Sequence, residues 1–497
     1  MSWRLAIIWS SNEAFDTPRG RRLGIRKAIK KRMNEIVKHY DALASTRDQY
    51  RDKNKYYYAL LHEQYAYLIP PGKKVLEVGC GTGELLKAFN PSVGYGVDIS
   101  PEMVSIARQK FPQFSFQAGE ISELKTDEKF DYIILSGLLG ELDDIQEFLR
   151  QLKKFCVKDT RIIIEYYSYF WQYLLKVGER LKLKIPQKIQ NWLTSEDIKN
   201  FLTLTDYDLI KVERCILIPK NIWGISYFIN RFVAKLPVFN ALTLNHFIVA
   251  RPVFGEEREC SVTILVPCRN EKGNIEQAVV RTPVFGKKQE FIFVEGGSKD
   301  GTFEEVQRVI QKYPRKDIRL YKQTGKGKGD AVRLGFSQAA GELLMILDAD
   351  LTVSPEDLPK FYEAIKKNKG EYVHGSRLVY PMEKEAMRFL NLLANKFFGI
   401  LFSWLLGQRF KDTLCGTKVL FRHHYQEIAA QRAYFGDFDP FGDFDLIFGA
   451  TKLNLKMIEI PIRYKERRYG TTQIQRFRHG LLLLKMCFFA MKKIKFR

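Results

Sequence analysis

The chain has 497 residues, 45% of them hydrophobic, and a formal net charge of +23. That length excludes a single ordinary core and implies two domains of globular composition. Seven scattered cysteines with no CxxC pair argue for a reducing cytosol, and against a disulfide scaffold or a zinc site.

The charge gathers at the ends. Pro18 to Lys38 holds nine Lys or Arg and one acid, and Leu453 to Arg497 holds twelve and two. Basic ends beside apolar runs suit an anionic surface, and a membrane is expected at the C-terminal end. No RNA-reading module is recognisable, so no nucleic acid is expected. Leu5 to Trp9 is too short an apolar run for a secretory leader. Residues 1–37 read as a basic extension.

After a helical region, Pro70-Pro71-Gly72 opens an alternation of strand and helix signals. Val75 to Gly79, Gly94 to Asp98, Phe130 to Ser136 and Arg161 to Tyr166 read as buried strands, with a shorter run at Phe114 to Gln117. Leu209 to Ile218 and Asn245 to Arg251 complete the set. This is the βαβ rhythm of a parallel sheet. Val75-Leu76-Glu77-Val78-Gly79-Cys80-Gly81-Thr82-Gly83 is a strand followed by a glycine turn. The glycines let the backbone turn tightly and approach a ligand closely. Asp98 closes the next strand, where a carboxylate can take both hydroxyls of a ribose. Glu120 follows Gly119 beyond the third strand-like run, within reach of an adenine edge. The third glycine comes one residue early for the G-x-G-x-x-G of a dinucleotide dehydrogenase, and no P-loop Lys-Ser/Thr is present.

Over roughly residues 38–253 this set resembles the class I S-adenosylmethionine-dependent methyltransferases. It includes the upstream Tyr40-Asp41 and a final strand Asn245-His246-Phe247-Ile248-Val249. The resemblance implies a Rossmann-like α/β fold with S-adenosylmethionine as cofactor. Glu77, Gly79, Gly81 and Gly83 would surround its methionine part, Asp98 would hold the ribose, and Glu120 the adenine amino group. Because the sulfonium already activates the methyl group, positioning is the main requirement.

A polar, acidic linker at 254–260 precedes a second βα series, with strands at Val262 to Pro267, Glu290 to Glu295 and Leu343 to Asp348. The last is an apolar run ending in Asp348-Ala349-Asp350. Two carboxylates at a sheet rim suit Mg²⁺ or Mn²⁺, which could grip a nucleotide diphosphate. The first strand leads into Pro267-Cys268-Arg269-Asn270-Glu271, the second into Glu295-Gly296-Gly297-Ser298-Lys299-Asp300-Gly301-Thr302. Gly325-Lys326-Gly327-Lys328-Gly329-Asp330 stands before the helix that precedes Asp348.

Over residues 261–480 this order of motifs is similar to the GT-A glycosyltransferases of family 2, nearest the dolichyl-phosphate mannose synthase-like branch. Gly375-Ser376-Arg377, Asp412-Thr413-Leu414-Cys415-Gly416-Thr417-Lys418 and Glu466-Arg467-Arg468-Tyr469-Gly470 extend the match. The resemblance implies an inverting transfer from a UDP- or GDP-sugar. Pro267, Glu271 and Glu295 would line the base and ribose pocket. Lys328, Arg377, Arg467 and Arg468 would lie near the diphosphate or an acceptor phosphate, and Asp348 and Asp350 would hold nucleotide and metal. Two departures stand out: Glu295-Gly296 replaces a paired Asp, and Thr472-Gln473 replaces a late Ser-Lys. A polyprenyl-phosphate acceptor is already anionic and needs no strong base, whereas a hydroxyl acceptor does. The catalytic candidates are Asp443 and Asp445 of Gly442-Asp443-Phe444-Asp445, with Asp412.

Phe389 to Leu406 is apolar but interrupted by Asn391, Asn395 and Lys396, so an amphipathic helix is expected there rather than a span. Residues 481–497 read as an apolar and basic tail. Together these signals describe a bifunctional enzyme, a methyltransferase joined to a glycosyltransferase, peripheral at the cytoplasmic face of a membrane. Its sugar acceptor would be a lipid phosphate or a glycan, in glycolipid or surface-glycan synthesis. The alternatives are a soluble or polymer hydroxyl acceptor, or one half serving only to bind a ligand.

Overall fold

The computed structural model describes residues 32–187, 191–380, 389–432, 444–467, 469 and 476–497, the side chains of 389–393, 476–480 and 482 excepted. Two seven-stranded mixed sheets organise it. The first holds β1 (Lys74–Val78), β2 (Val93–Asp98), β3 (Ser115–Ala118), β4 (Phe130–Ser136), β5 (Cys156–Tyr167), β6 (Tyr207–Cys215) and β7 (Asn245–Pro252). Their order is β3-β2-β1-β4-β5-β7-β6. β1 runs parallel to both β2 and β4, while β7 is antiparallel to β5 and β6. The strand order reverses at β1. In an open α/β sheet the carboxyl ends at such a reversal form the ligand crevice, and the glycine turn leaves β1 at that point.

The second sheet holds β8 (Val262–Cys268), β9 (Gln289–Glu295), β10 (Asp317–Lys322), β11 (Leu343–Ile346), β12 (Tyr372–Ser376), β13 (Lys418–Phe421) and β14 (Met457–Pro461). Their order is β10-β9-β8-β11-β13-β12-β14. β8, β9, β10 and β11 are parallel, and β13 is antiparallel to β11 and β12. β8 and β11 sit centrally with both faces covered. Val262 to Val266 and Leu343 to Ile346 are accordingly buried without alternation.

Every strand expected from the sequence coincides with an observed one, with ends shifted by a few residues. β6 stops at Cys215 rather than Ile218, because Ile216 takes a left-handed backbone (φ 64°) that breaks the ladder. β11 ends at Ile346, so Asp348 and Asp350 stand in the turn beyond it.

The compact units divide the chain elsewhere than at the 254–260 segment. One comprises 1–155 with 171–192, the other 156–170 with 193–497. Within the second unit, Arg161 of β5 and Arg251 of β7 meet Glu371, which precedes β12. Arg161 Nη2 lies 2.8 Å and Arg251 Nη1 3.8 Å from its carboxylate.

Phe389–Leu406 is a helix, as expected. Phe398, Phe402, Leu405 and Leu406 are buried, with Phe402 stacked on Phe448, whereas Phe397 and Ile400 are exposed. The helix Arg476–Ala490 likewise buries Leu483, Met486, Cys487 and Ala490 and exposes Leu481, Leu484 and Phe488. Among the described residues no helix is long and apolar enough to cross a membrane.

Candidate functional site

The first site is built around the glycine turn. Gly79, Gly81 and Gly83 all have positive φ, which a side chain would strain. Asp98 anchors the turn, its Oδ2 accepting from Gly81 N (2.7 Å) and its Oδ1 from Ser100 N (3.0 Å). The helical stretch 32–44 closes on the same loop. Asp41 Oδ1 accepts from Ser100 Oγ (2.5 Å), and Tyr40 donates its hydroxyl to Glu141.

Glu77 is buried, and its Oε2 has no hydrogen-bond partner. Burial pushes its carboxyl up to about 8, against the opposing pull of Arg47 and Arg51. Asp98 is also raised by burial, although Ser100 N–H and Arg47 favour its anion. The crevice thus holds a buried acid, Glu77, and a half-buried one, Asp98, both within the field of Arg47.

Arg47 was not singled out by sequence. Its guanidinium packs on Gly81, so closely that a Cβ there would lie 2.5 Å from its Cζ. Burial alone would lower Arg47, but Tyr58, Asp98 and Glu77 raise it. The run Ser45-Thr46-Arg47-Asp48 carries no periodic or motif signal that would have marked it. Glu120 is exposed and forms a reciprocal capping box with Glu123, and Gly119 before it donates its N–H to the Asp98 carbonyl (2.9 Å).

The second site lies beyond β8, β9 and β11. Glu271 Oε1 and Asp350 Oδ2 each accept from Arg467, at 2.7 Å to Nη1 and 2.7 Å to Nη2 respectively. One guanidinium thereby ties the loop after β8 to the loop after β11. Asp350 Oδ1 accepts from Thr352 N and Oγ1. Leu351 between them has φ 53°, an uncommon conformation for a branched apolar residue that occurs at constrained turns. Lys328 Nζ lies 2.5 Å from Asp348 Oδ1. The backbone of Gly416 closes over that pair, since a Cβ there would fall 1.8 Å from Asp348 Oδ2 and 2.6 Å from Lys328 Nζ.

Pro267 and Cys268 end β8 in register with Val294 and Glu295 of β9. Glu295 is buried and accepts from Ser298 N (2.5 Å). Asp300 collects Lys272 N, Thr302 N and Oγ1 and the Tyr469 hydroxyl. Burial opposes its anion, yet these hydrogen bonds hold its carboxyl below the ordinary value.

Arg377 grips Asp412 through Nε and Nη2 at 2.7 and 2.8 Å. Asp412 is fully buried, and despite that burial the Arg377 charge keeps its carboxyl low. Their mutual fork occupies both groups. Asp445, at the start of the helix Phe444–Lys452, lies 4.0 Å from Arg333 and 3.8 Å from Arg432. Arg468 and Asp443 lie outside the described residues.

Comparison with known proteins finds a separate family for each of the two sites. Residues 50–212 match the family described as Methyltransferase domain, and residues 263–429 match Glycosyl transferase family 2. A dolichol-phosphate mannosyltransferase of Pyrococcus furiosus is 37% identical over 137 residues, 27% of this chain and 38% of that protein. One of Saccharomyces cerevisiae is 37% identical over 110 residues, 21% of this chain and 40% of that protein. A dolichyl-phosphate beta-glucosyltransferase of Trichomonas vaginalis is 28% identical over 259 residues, 46% of this chain and 74% of that protein. The chain spans about two fifths of the length of the two mannosyltransferases it matches.

Proposed function

We propose, for a chain that joins a methyltransferase domain to a family 2 glycosyltransferase domain related to polyprenyl-phosphate sugar transferases, that it is a bifunctional enzyme of glycolipid or surface-glycan synthesis. Its C-terminal half moves a sugar, with inversion, from a UDP- or GDP-sugar to a polyprenyl phosphate. Its N-terminal half methylates an acceptor with S-adenosylmethionine. The domains implied by this reading are 38–253 and 261–480.

One observation carries the sugar-transfer reading: Glu271, Asp348 and Asp350 meet Lys328 and Arg467 at the carboxyl ends of β8 and β11. Cations held in place by carboxylates suit an anionic diphosphate that arrives with a metal ion. Asp348 and Asp350 offer the hard oxygen donors that Mg²⁺ or Mn²⁺ takes. When bound there, such an ion would neutralise charge on the departing nucleotide. Asp412 is locked to Arg377, and Asp445 stands between two guanidinium groups. Neither of these two positions suits removal of a proton from a hydroxyl.

The methyl-donor reading rests on Asp98, Glu77 and the glycine turn. A sulfonium would add to Arg47 in relieving the cost of ionising the buried Glu77. Replacing Asp98 with Ala removes the anchor of Gly81 N and a ribose acceptor together. S-adenosylmethionine affinity should fall at least tenfold, about 1.4 kcal/mol. Calorimetry on the full chain, titrating S-adenosylmethionine and then UDP and GDP, tests both halves. No heat with S-adenosylmethionine, or none with either nucleotide, rejects the corresponding half.

A lipid acceptor places the protein at the cytoplasmic face of a membrane. Because the helix Arg476–Ala490 is partly core, deleting it would unfold as well as detach the chain. Leu481, Leu484 and Phe488 are the exposed positions. Changing all three to Ser should leave the fold intact and weaken sedimentation with anionic vesicles several-fold. The loss should persist at high salt, because apolar insertion is not screened. Unchanged sedimentation would remove this helix from the membrane-binding surface.

A further inference from the structure

Away from both sites, three side chains converge within the second unit. His423 and His424 occupy the first turn of the helix Arg422–Ala430, and Asp159 belongs to β5. His423 Nε2 lies 3.6 Å from Asp159 Oδ2, and His424 Nε2 lies 3.6 Å from Asp159 Oδ1. The three potential ligand atoms fall within 4.8 Å of one another. We propose that Asp159, His423 and His424 form a binding site for a divalent transition-metal ion, with Zn²⁺ the best match.

The plainer account is a carboxylate hydrogen-bonded to a histidine. Such a pair would close to about 2.7–3.0 Å, and both separations exceed that. They approach instead the spacing between ligands of one ion. Zinc bonds of about 2.1 Å at a tetrahedral angle put neighbouring ligand atoms about 3.4 Å apart. His423 Nε2 is also buried and has no hydrogen-bond partner. A buried imidazole nitrogen of this kind needs an explanation, and an ion between it and Asp159 supplies one.

The surroundings restrict the rings and leave an opening. Phe421 stacks on His423 with centroids 5.4 Å apart and meets His424 edge-on at 5.8 Å. The two imidazole centroids are 4.1 Å apart. Asp159 is exposed, so water can complete the coordination. Imidazole nitrogen with one carboxylate favours Zn²⁺ over Mg²⁺. Two cations lie close by: Arg161, whose Nη1 donates to the Asp159 carbonyl (3.0 Å) while its Nη2 is committed to Glu371, and Arg258, which sits 4.9 Å from the centroid of the Phe421 ring. An ion here would join β5 to the helix after β13 and stabilise the folded unit by linkage.

All seven cysteines are buried, so thiols do not compete for the metal in the folded chain. The full-length protein, stripped with EDTA and dialysed, would be titrated with Zn²⁺ by calorimetry. One equivalent should bind in addition to any taken by Asp348 and Asp350, and this equivalent should raise the melting temperature. The His423→Ala/His424→Ala variant should bind Zn²⁺ at least tenfold more weakly and lose the thermal shift. Asp159→Asn, at an exposed position, should weaken binding without affecting the fold. Co²⁺ bound to the unaltered chain should give the visible absorption of a nitrogen-liganded site, a readout that needs no variant. Absence of Zn²⁺ binding and of that absorption would overturn the proposal. So would Zn²⁺ affinity and thermal shift that survive in the folded double variant.

Discussion

Asp350→Asn should lower sugar transfer about a hundredfold or more, about 2.7 kcal/mol of transition-state stabilisation, while methyl transfer is unaffected. The substitution keeps the size of the side chain and removes its charge. In the folded chain that charge has two tasks. Oδ2 holds Arg467 at 2.7 Å, and Oδ1 fixes the turn through Thr352. An amide would keep part of the second task and lose the charge that opposes Arg467 and that, on the proposed function, would attract a divalent ion. Glu271 still holds Arg467 through Nη1, so the fold of the site should survive and the loss should appear in kcat. Radiolabelled sugar counted in the lipid phase measures transfer, and methyl transfer on the same preparation is the internal control. A loss of less than threefold would remove Asp350 from the metal and nucleotide site. A loss in both activities would mean that the variant is misfolded.

Glu371→Ala should destabilise the second unit by about 3–5 kcal/mol, the usual cost of stranding a buried charge. Arg161 would lose a 2.8 Å ion pair and Arg251 a looser one at 3.8 Å. Arg251 keeps its ion pair with Asp208 (2.9 Å) and its bonds to Asn368, so the stranded charge is that of Arg161, for which the Asn454 carbonyl supplies a hydrogen bond but no negative charge. Glu371 Oε2 also accepts from Lys456 N, so β14 loses an anchor at its start. Burial opposes the Glu371 anion, yet Arg161 and Arg251 hold its carboxyl below the ordinary value. Its contribution is therefore present above the usual carboxylate range and is lost as pH falls through the lowered value. Urea unfolding followed by fluorescence should show the deficit at pH 7. Glu371→Gln, which keeps one acceptor, should lose less. An unchanged midpoint for Glu371→Ala would mean that the pair contributes nothing to stability.

Much of the architecture could be read along the chain because its central strands are covered on both faces. β1, β4, β8 and β11 are mostly apolar and buried without alternation, broken only by single polar residues such as Glu77, Asp131 and Thr263, and the glycines and acids that mark the crevices follow β1, β8 and β11. β10, β12, β13 and β14 were not anticipated as strands. β12 contains His374 and Gly375, and β13 is only four residues long and begins with Lys418. Periodicity over so few residues carries little signal. The site residues divide in the same way. Asp98, Asp348 and Asp350 follow from local order, strand then acid. What each one touches does not: Arg467 is 117 residues from Asp350, and Arg161 is 210 from Glu371. The engagement of Arg377 by Asp412 and of Lys328 by Asp348 likewise depends on folding rather than spacing. Cysteine spacing spoke against a zinc site, but it could not register a carboxylate and two imidazoles more than 260 positions apart in sequence.

The central claim is that this chain glycosylates a polyprenyl phosphate. The purified full-length protein would be incubated with a polyprenyl phosphate, Mg²⁺ or Mn²⁺, and a panel of labelled UDP- and GDP-sugars, and the organic phase counted. The account predicts label in the lipid from at least one donor, released by mild acid as expected for a sugar linked through one phosphate, and abolished by EDTA. No lipid label from any donor, with the label recovered instead on a soluble or polymer hydroxyl, would contradict it.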